Sequence, residues 1–74
     1  MLDPARTKIR DAASLGNAIR ERRVALGMLQ SDVAMQSGVS VQTVSAIENG
    51  KDTARIGIVL QICRDLGLPL TAGG

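Results

Sequence analysis

Apolar residues recur three and four positions apart in four stretches of the chain, which is the spacing of one face of an α-helix. In the first stretch Leu15 and Ile19 lie on one side, Asp11 precedes it as an N-cap, and Gly27 follows it as a stop. The pattern predicts a mainly α-helical domain with helices at roughly 12–26, 30–37, 41–49 and 54–66.

The two middle helices are joined by a tight turn, and the rest of the chain is organised around them. Gly38 supplies the permissive backbone that ends the first of them, and Ser40 is a good N-cap for the second. Val44, Ile47 and Glu48 then share one face at spacings of three and four. The opposite face carries Gln42, Ser45, Ala46 and Asn49. An apolar inner face, a small polar outer face and a glycine-containing turn are what a helix-turn-helix needs to lay its second helix in the DNA major groove.

This stretch resembles the XRE/Cro-repressor helix-turn-helix family. The matching residues are Gln30, Val33, Ala34, Gly38, Val39, Ser40, Thr43, Val44, Ser45, Ile47, Glu48, Asn49 and Gly50. The resemblance covers about residues 15–70 and implies a lambda-repressor-like bundle of four or five helices at 12–67, with its helix-turn-helix motif at 30–49. An ordinary helical hairpin in a small bundle is the alternative interpretation.

The helix faces and the resemblance together indicate which side chains meet double-stranded DNA. Gln42 can bond adenine through two atoms at once, whereas Lys51 and Arg55, which follow the second helix, are suited to phosphates. Helix N-termini near Gln30 and Ser40 are further phosphate sites. The expected DNA-binding residues are Gln30, Ser31, Ser40, Val41, Gln42, Thr43, Ser45, Ala46, Asn49, Lys51 and Arg55.

Glu48 lies beside the apolar positions of its helix, so it is expected to be partly buried and to need a partner. The resemblance implies that Arg23 of the first helix forms an ion pair with it, and an Arg offers a planar fork to a carboxylate. We interpret this pair as structural rather than catalytic.

Two helix starts lack an obvious cap. The family usually has a capping side chain before Gln30, but Leu29 cannot cap, so Ser31 or Asp32 is expected to take the exposed amides. For the last helix, Asp52 or Thr53 is the expected cap.

The last helix is richer in apolar residues than one small core requires. Its expected core stripe is Ile56, Val59, Leu60, Cys63 and Leu66. Ile58 and Ile62 fall outside that stripe, and residues 68–71 alternate like a short edge strand interrupted by Pro69. Because a domain of this size has a marginal core, we expect a homodimer. Its predicted interface comprises Ile58, Ile62, Leu68 and Leu70.

The segment from residue 60 to residue 70 is similar to the HipB-type antitoxin regulators. That resemblance implies a short strand across a two-fold axis, an autoregulating repressor, and a toxin kinase as a possible partner. Two alternatives stay open: a module whose main role is to neutralise a kinase-like toxin, and a stand-alone phage-type repressor.

The formal charge of +2 is unevenly distributed. Residues 1–30 carry six basic and three acidic side chains, whereas residues 31–74 carry three basic and four acidic ones. A basic arm is therefore expected at residues 1–11, and a short strand with a flexible tail at 68–74. The sequence favours a solvated end for the arm, with a DNA-contacting arm or a paired strand as the alternatives.

Composition excludes several classes of function. The chain has no aromatic residue to stack on single-stranded nucleic acid, and no His, paired carboxylates or phosphate loop for catalysis. We therefore expect no enzyme, cofactor or metal. Cys63, the single cysteine, is interpreted as a small buried hydrophobe. With no membrane span or signal-peptide core, a cytoplasmic location is expected.

Overall fold

Four helices make up the part of the chain that a computed structural model describes, residues 8–72. They are α1 (Ala12–Ala25), α2 (Gln30–Ser37), α3 (Val41–Glu48) and α4 (Ile56–Asp65). The predicted mainly α-helical bundle is confirmed, with helix ends within about two residues of those expected. Most of the predicted basic arm and the end of the predicted tail lie outside the described residues.

α1 begins with a reciprocal cap. The Ser14 amide donates to Asp11 Oδ1 at 2.8 Å, and the Asp11 amide donates to Ser14 Oγ at 3.1 Å. The hydrogen bond from the Ser14 amide lowers the pKa of the Asp11 carboxyl below its ordinary value, because it stabilises the ionised form. Asp11 is the N-cap that the sequence predicted.

α2 and α4 begin without a capping side chain at their N-cap positions. At α2, Asp32 Oδ2 accepts from the Leu29 amide at 2.8 Å, so Asp32 takes the exposed amide as expected. At α4 the predicted cap by Asp52 or Thr53 is wrong. The helix starts two residues later than expected, and its N-cap residue is Arg55, whose side chain makes no capping hydrogen bond.

The core lies between all four helices. Its largest fully buried side chains are Ile19, Val33, Val44, Ile62, Cys63 and Leu66. Burial raises the pKa of the Cys63 thiol, because the apolar surroundings disfavour the thiolate.

α4 buries a different stripe from the predicted one. Ile56 is 66% exposed and Leu60 is 38% exposed, whereas Ile62 is completely buried. The buried stripe is Val59, Ile62, Cys63 and Leu66, which also has spacings of three and four. Because α4 is apolar on most of its circumference, helical spacing alone allowed either rotation about its axis.

α1 and α3 approach each other very closely at Gly16. A Cβ added to Gly16 would lie 2.2 Å from the Ile47 carbonyl oxygen and 2.9 Å from the Glu48 carbonyl oxygen. Just after α3, Gly50 has φ +83°, and a Cβ there would lie 2.8 Å from Ala13 Cα. Two glycines therefore allow the backbone of α3 to pack directly on α1.

Residues 68–72 contain no strand, because they form no strand pairing with any other segment within residues 8–72. Leu68 packs partly against the core, and Leu70 is exposed. The predicted short strand is thus not formed within the described single chain.

Candidate nucleic-acid interface

α3 presents a polar face to solvent. Its inner residues Val44, Ile47 and Glu48 are buried. On the opposite side Gln42 and Asn49 are exposed, and the smaller expected contact residues Ser45 and Ala46 are half-buried. An exposed helix face with one long amide side chain and small neighbours can approach base edges closely.

The turn before α3 fixes where that helix begins. Gly38 ends α2 with φ +69°, a left-handed conformation that glycine adopts without strain. The Thr43 amide donates to Ser40 Oγ at 3.1 Å, and the Ser40 and Thr43 hydroxyl oxygens are 2.9 Å apart. Both hydroxyls are therefore engaged in the cap. Ser40 acts as the predicted N-cap of α3.

Basic side chains follow the C-terminal end of α3. Lys51 and Arg55 are both exposed and line a groove with Gln42 and Ala46. The structure thus brings the expected base-reading side chain and the two expected phosphate-binding side chains to one surface. Ile58 lines the same groove and packs partly against the core.

Arg23 and Glu48 form an ion pair in the interior. Arg23 Nε donates to Glu48 Oε2 at 2.7 Å and Arg23 Nη2 donates to Glu48 Oε1 at 3.0 Å. The two side chains are only 11% and 2% exposed. The hydrogen bond to Glu48 raises the pKa of the Arg23 guanidinium further above neutrality, so Arg23 stays protonated. Arg23 Nη1 also donates to the Met28 carbonyl at 2.9 Å, so one side chain joins α1, the α1–α2 loop and α3.

Gln30 is turned inward rather than fully toward solvent. Its Nε2 donates to Glu48 Oε1 at 3.2 Å, so Gln30 extends the ion pair into a three-residue network. Of the other expected contacts, Ser31 is exposed in the first turn of α2, and Val41 is exposed at the start of α3. The network fixes the first turn of α2 against the last turn of α3.

One member of the predicted dimer interface is wrongly placed. Ile62 is fully buried in the core of the single chain, so it has no surface to offer to a second chain. Leu70 is exposed, and Leu68 is half-buried. On α4, Ile56 and Leu60 hold the exposed apolar surface instead.

Two polar contacts of the framework were not predicted from the sequence. Arg22 Nε donates to the Leu66 carbonyl at 2.8 Å, and Ser37 Oγ donates to Asp65 Oδ2 at 2.8 Å. The first satisfies a free carbonyl at the end of α4, and the second ties α2 to α4. A hydroxyl on the buried side of a short helix, as at Ser37, was the available sequence signal.

Within residues 8–72, no group of three or more His, Cys, Asp or Glu side chains is arranged to hold a metal ion. No helix in that part of the chain is long and apolar enough to cross a membrane.

Comparisons with known proteins agree with this geometry. A helix-turn-helix family model, HTH_3, matches residues 19–72. The uncharacterized HTH-type transcriptional regulator y4mF of Sinorhizobium fredii is 35% identical over 60 residues, which is 81% of this chain and 79% of that protein. An uncharacterized HTH-type transcriptional regulator of Methanothermobacter thermautotrophicus is 39% identical over 49 residues, 66% of this chain and 71% of that protein.

Solved structures of HipB have the same fold. HipB in a complex with an O4 20mer superposes with a TM-score of 0.82 at 30% identity, covering 90% of this chain and 94% of HipB. A HipB variant in a complex with an O2 20mer gives a TM-score of 0.82 at 28% identity, covering 90% and 93%. The chain belongs to the XRE-type helix-turn-helix family, and it is a transcriptional regulator with a HipB-like DNA-binding fold.

Proposed function

We propose that this chain is a repressor that binds a specific double-stranded DNA operator as a homodimer, with α3 in the major groove. The main observation in support is that Gln42, Lys51 and Arg55 lie together on one surface at the exposed side of α3. A helix with a polar outer face, held rigidly by the core and followed by cations, suits base reading in the groove and phosphate binding beside it. The HipB neighbours, both complexes with 20mers, support this assignment.

In this arrangement Gln42 reads a base edge, and Ser45, Ala46 and Val41 supply short polar or apolar contacts. Asn49 lies at the far end of the same face. The exposed N-terminal turns of α2 and α3, at Ser31 and Ser40, point backbone amides toward phosphates. Thr43 acts through its hydrogen bond to Ser40 rather than through a direct contact.

Exposed apolar side chains near the C-terminal end of the chain support the proposed homodimer. Leu60 on α4 and Leu70 after it are large apolar side chains that are 38% and 44% exposed. Association of two chains removes such surface from water and also doubles the number of recognised bases. Leu68, which is half-buried, is the remaining member of the interface predicted from sequence that lies away from the proposed DNA-binding surface. Ile58, the other predicted member, instead lines the groove that contains Gln42 and Lys51.

Selection of bound fragments from a pool of random duplex DNA tests this function. We expect an enriched sequence with two-fold symmetry, whose half-sites are separated by about one helical turn, roughly 10 base pairs. A single enriched half-site would contradict the homodimer. Recovery of fragments with no common sequence would contradict operator recognition altogether. The same selection with the variant Gln42→Ala, which is altered on the outward face of α3, should enrich different bases.

A second function, neutralisation of a kinase-like toxin, is favoured by the likeness to HipB over nine-tenths of both chains. It is compatible with DNA binding. A gene for a larger kinase-like protein beside the gene for this chain would favour it, and its purified product should form a complex with this chain at micromolar concentration. Absence of a complex with that product would exclude this second function.

A further inference from the structure

We propose that Arg10, just before α1, and Lys51, in the α3–α4 loop, form one additional phosphate-binding cluster. The cluster lies at the C-terminal end of α3 and rests on the proposed DNA-binding function. It gives the basic N-terminal segment a role in affinity, without any role in reading bases.

Ser14 holds Arg10 in place. The Arg10 amide donates to Ser14 Oγ at 2.8 Å, and the same oxygen accepts from the Asp11 amide at 3.1 Å. Ser14 lies in the first turn of α1, which belongs to the rigid bundle. The backbone of Arg10 is therefore fixed relative to the bundle, although its side chain is exposed.

The packing of α1 on α3 brings this segment beside the α3–α4 loop. Gly50 lies so close to Ala13 that a Cβ would stand 2.8 Å from the Ala13 Cα. Arg10 lies three residues before Ala13, and Lys51 directly follows Gly50. Both residues line the same shallow depression. Arg10 and Lys51 therefore lie close together because α1 packs on α3, and not because of the conformation of one loop.

Two cations and two carboxylates line this depression. Neither Arg10 nor Lys51 takes part in an ion pair within residues 8–72. The carboxylates are those of Asp11 and Asp52. Asp11 caps α1, and Arg10 helps to stabilise its ionised form, whereas Asp52 forms no ion pair within residues 8–72. Because α3 lies in the groove in the proposed complex, a cation pair at its C-terminal end stands beside the sugar-phosphate backbone, where contacts are independent of sequence.

The alternative explanation for these cations is purely intramolecular. Positive side chains near the C-terminal end of a helix interact favourably with its dipole, and this would contribute to folding alone. DNA binding and thermal unfolding, measured on the same variants, separate the two explanations.

The experiment is a salt titration of DNA binding by Arg10→Ala, on the selected operator and on a scrambled duplex. We expect weaker binding to both duplexes by the same factor, and a salt slope lower by about one unit. Between about 50 mM and about 200 mM salt, the ratio of wild-type to variant affinity should therefore fall roughly 3.5-fold. Arg64→Ala, which removes an exposed cation from the far end of α4, is the matched control and should bind like the wild type.

Asp52→Asn is expected to have the opposite effect on DNA binding. Removal of this carboxylate from the depression should strengthen binding to both duplexes, most of all at low salt. If Arg10→Ala binds both duplexes with the wild-type affinity and the wild-type salt slope, the proposed cluster is wrong. This holds whether the unfolding temperature of the variant is lowered or unchanged. If the wild-type chain itself binds neither duplex, the proposed function fails before the cluster is tested, so the two failures are distinct.

Discussion

Glu48→Gln is expected to lower the free energy of unfolding by about 3 kcal/mol, because it removes one charge of a buried ion pair. Arg23 would then keep a full positive charge at a site where its side chain is only 11% exposed. Glu48 accepts two hydrogen bonds from Arg23 and one from Gln30, and a neutral amide cannot accept from all three donors equally well. Thermal or urea unfolding measures the loss.

Glu21→Gln is the matched control for this variant. Glu21 is exposed on α1, and within residues 8–72 its carboxylate accepts a hydrogen bond only from the Asn17 side chain, at 3.3 Å. The same chemical change should therefore cost no more than about 0.5 kcal/mol there. If Glu48→Gln unfolds at the same urea concentration as Glu21→Gln, the ion pair does not stabilise the position of α3.

Gly16→Ala is expected to destabilise the chain by about 2 kcal/mol, although alanine is the better helix former. The added Cβ would stand 2.2 Å from the Ile47 carbonyl oxygen, whereas ordinary contacts of a Cβ begin near 3.4 Å. Backbone atoms of α3 cannot rotate away, so α1 and α3 must separate. The gain in helix propensity, up to about 1 kcal/mol, offsets only part of that cost.

Gly57→Ala gives the opposite result at a site without a neighbour. Gly57 is the second residue of α4, and a Cβ there would meet nothing within 4 Å. This variant should therefore be more stable than the wild type by about 0.5–1 kcal/mol. If both glycine variants are stabilised, the two helices do not approach as closely at Gly16 as the structure indicates.

Much of the fold was predictable because local signals agreed with tertiary structure. Asp11 and Ser40 are caps in both sequence and structure, and the glycine at 38 ends α2 in the left-handed conformation. The inner face of α3 was also predictable, since Val44, Ile47 and Glu48 lie three and four positions apart and are buried together.

The rotation of α4 was not predictable from spacing. Leu60 and Ile62 are both large and apolar, and either could belong to a stripe with helical period. Burial of Ile62 is decided by the shape of the space that the other three helices leave. The role of Gly16 was also not predictable, because a single glycine within a helix gives no periodic signal. Only its distance to α3 shows that a larger residue would not fit there.

At the candidate interface, the sequence located the surface but not all its internal contacts. Gln42, Lys51 and Arg55 lie together where the helix-turn-helix pattern placed them. Gln30 instead donates to Glu48, and a long amide side chain gives no sequence signal for whether it turns inward or outward. Arg10 approaches Lys51 only because α1 packs on the end of α3.

The central claim, that α3 reads DNA, is tested most directly by a salt titration of Gln42→Ala and Lys51→Ala on the operator and on scrambled duplex. Gln42→Ala should lose about 1–3 kcal/mol of binding free energy on the operator alone, whereas Lys51→Ala should weaken both duplexes alike and lower the salt slope by about one unit. Gln36→Ala, an exposed glutamine of α2 turned toward α4, is the control and should match the wild type. If Gln42→Ala weakens both duplexes equally, or neither, α3 does not read the bases.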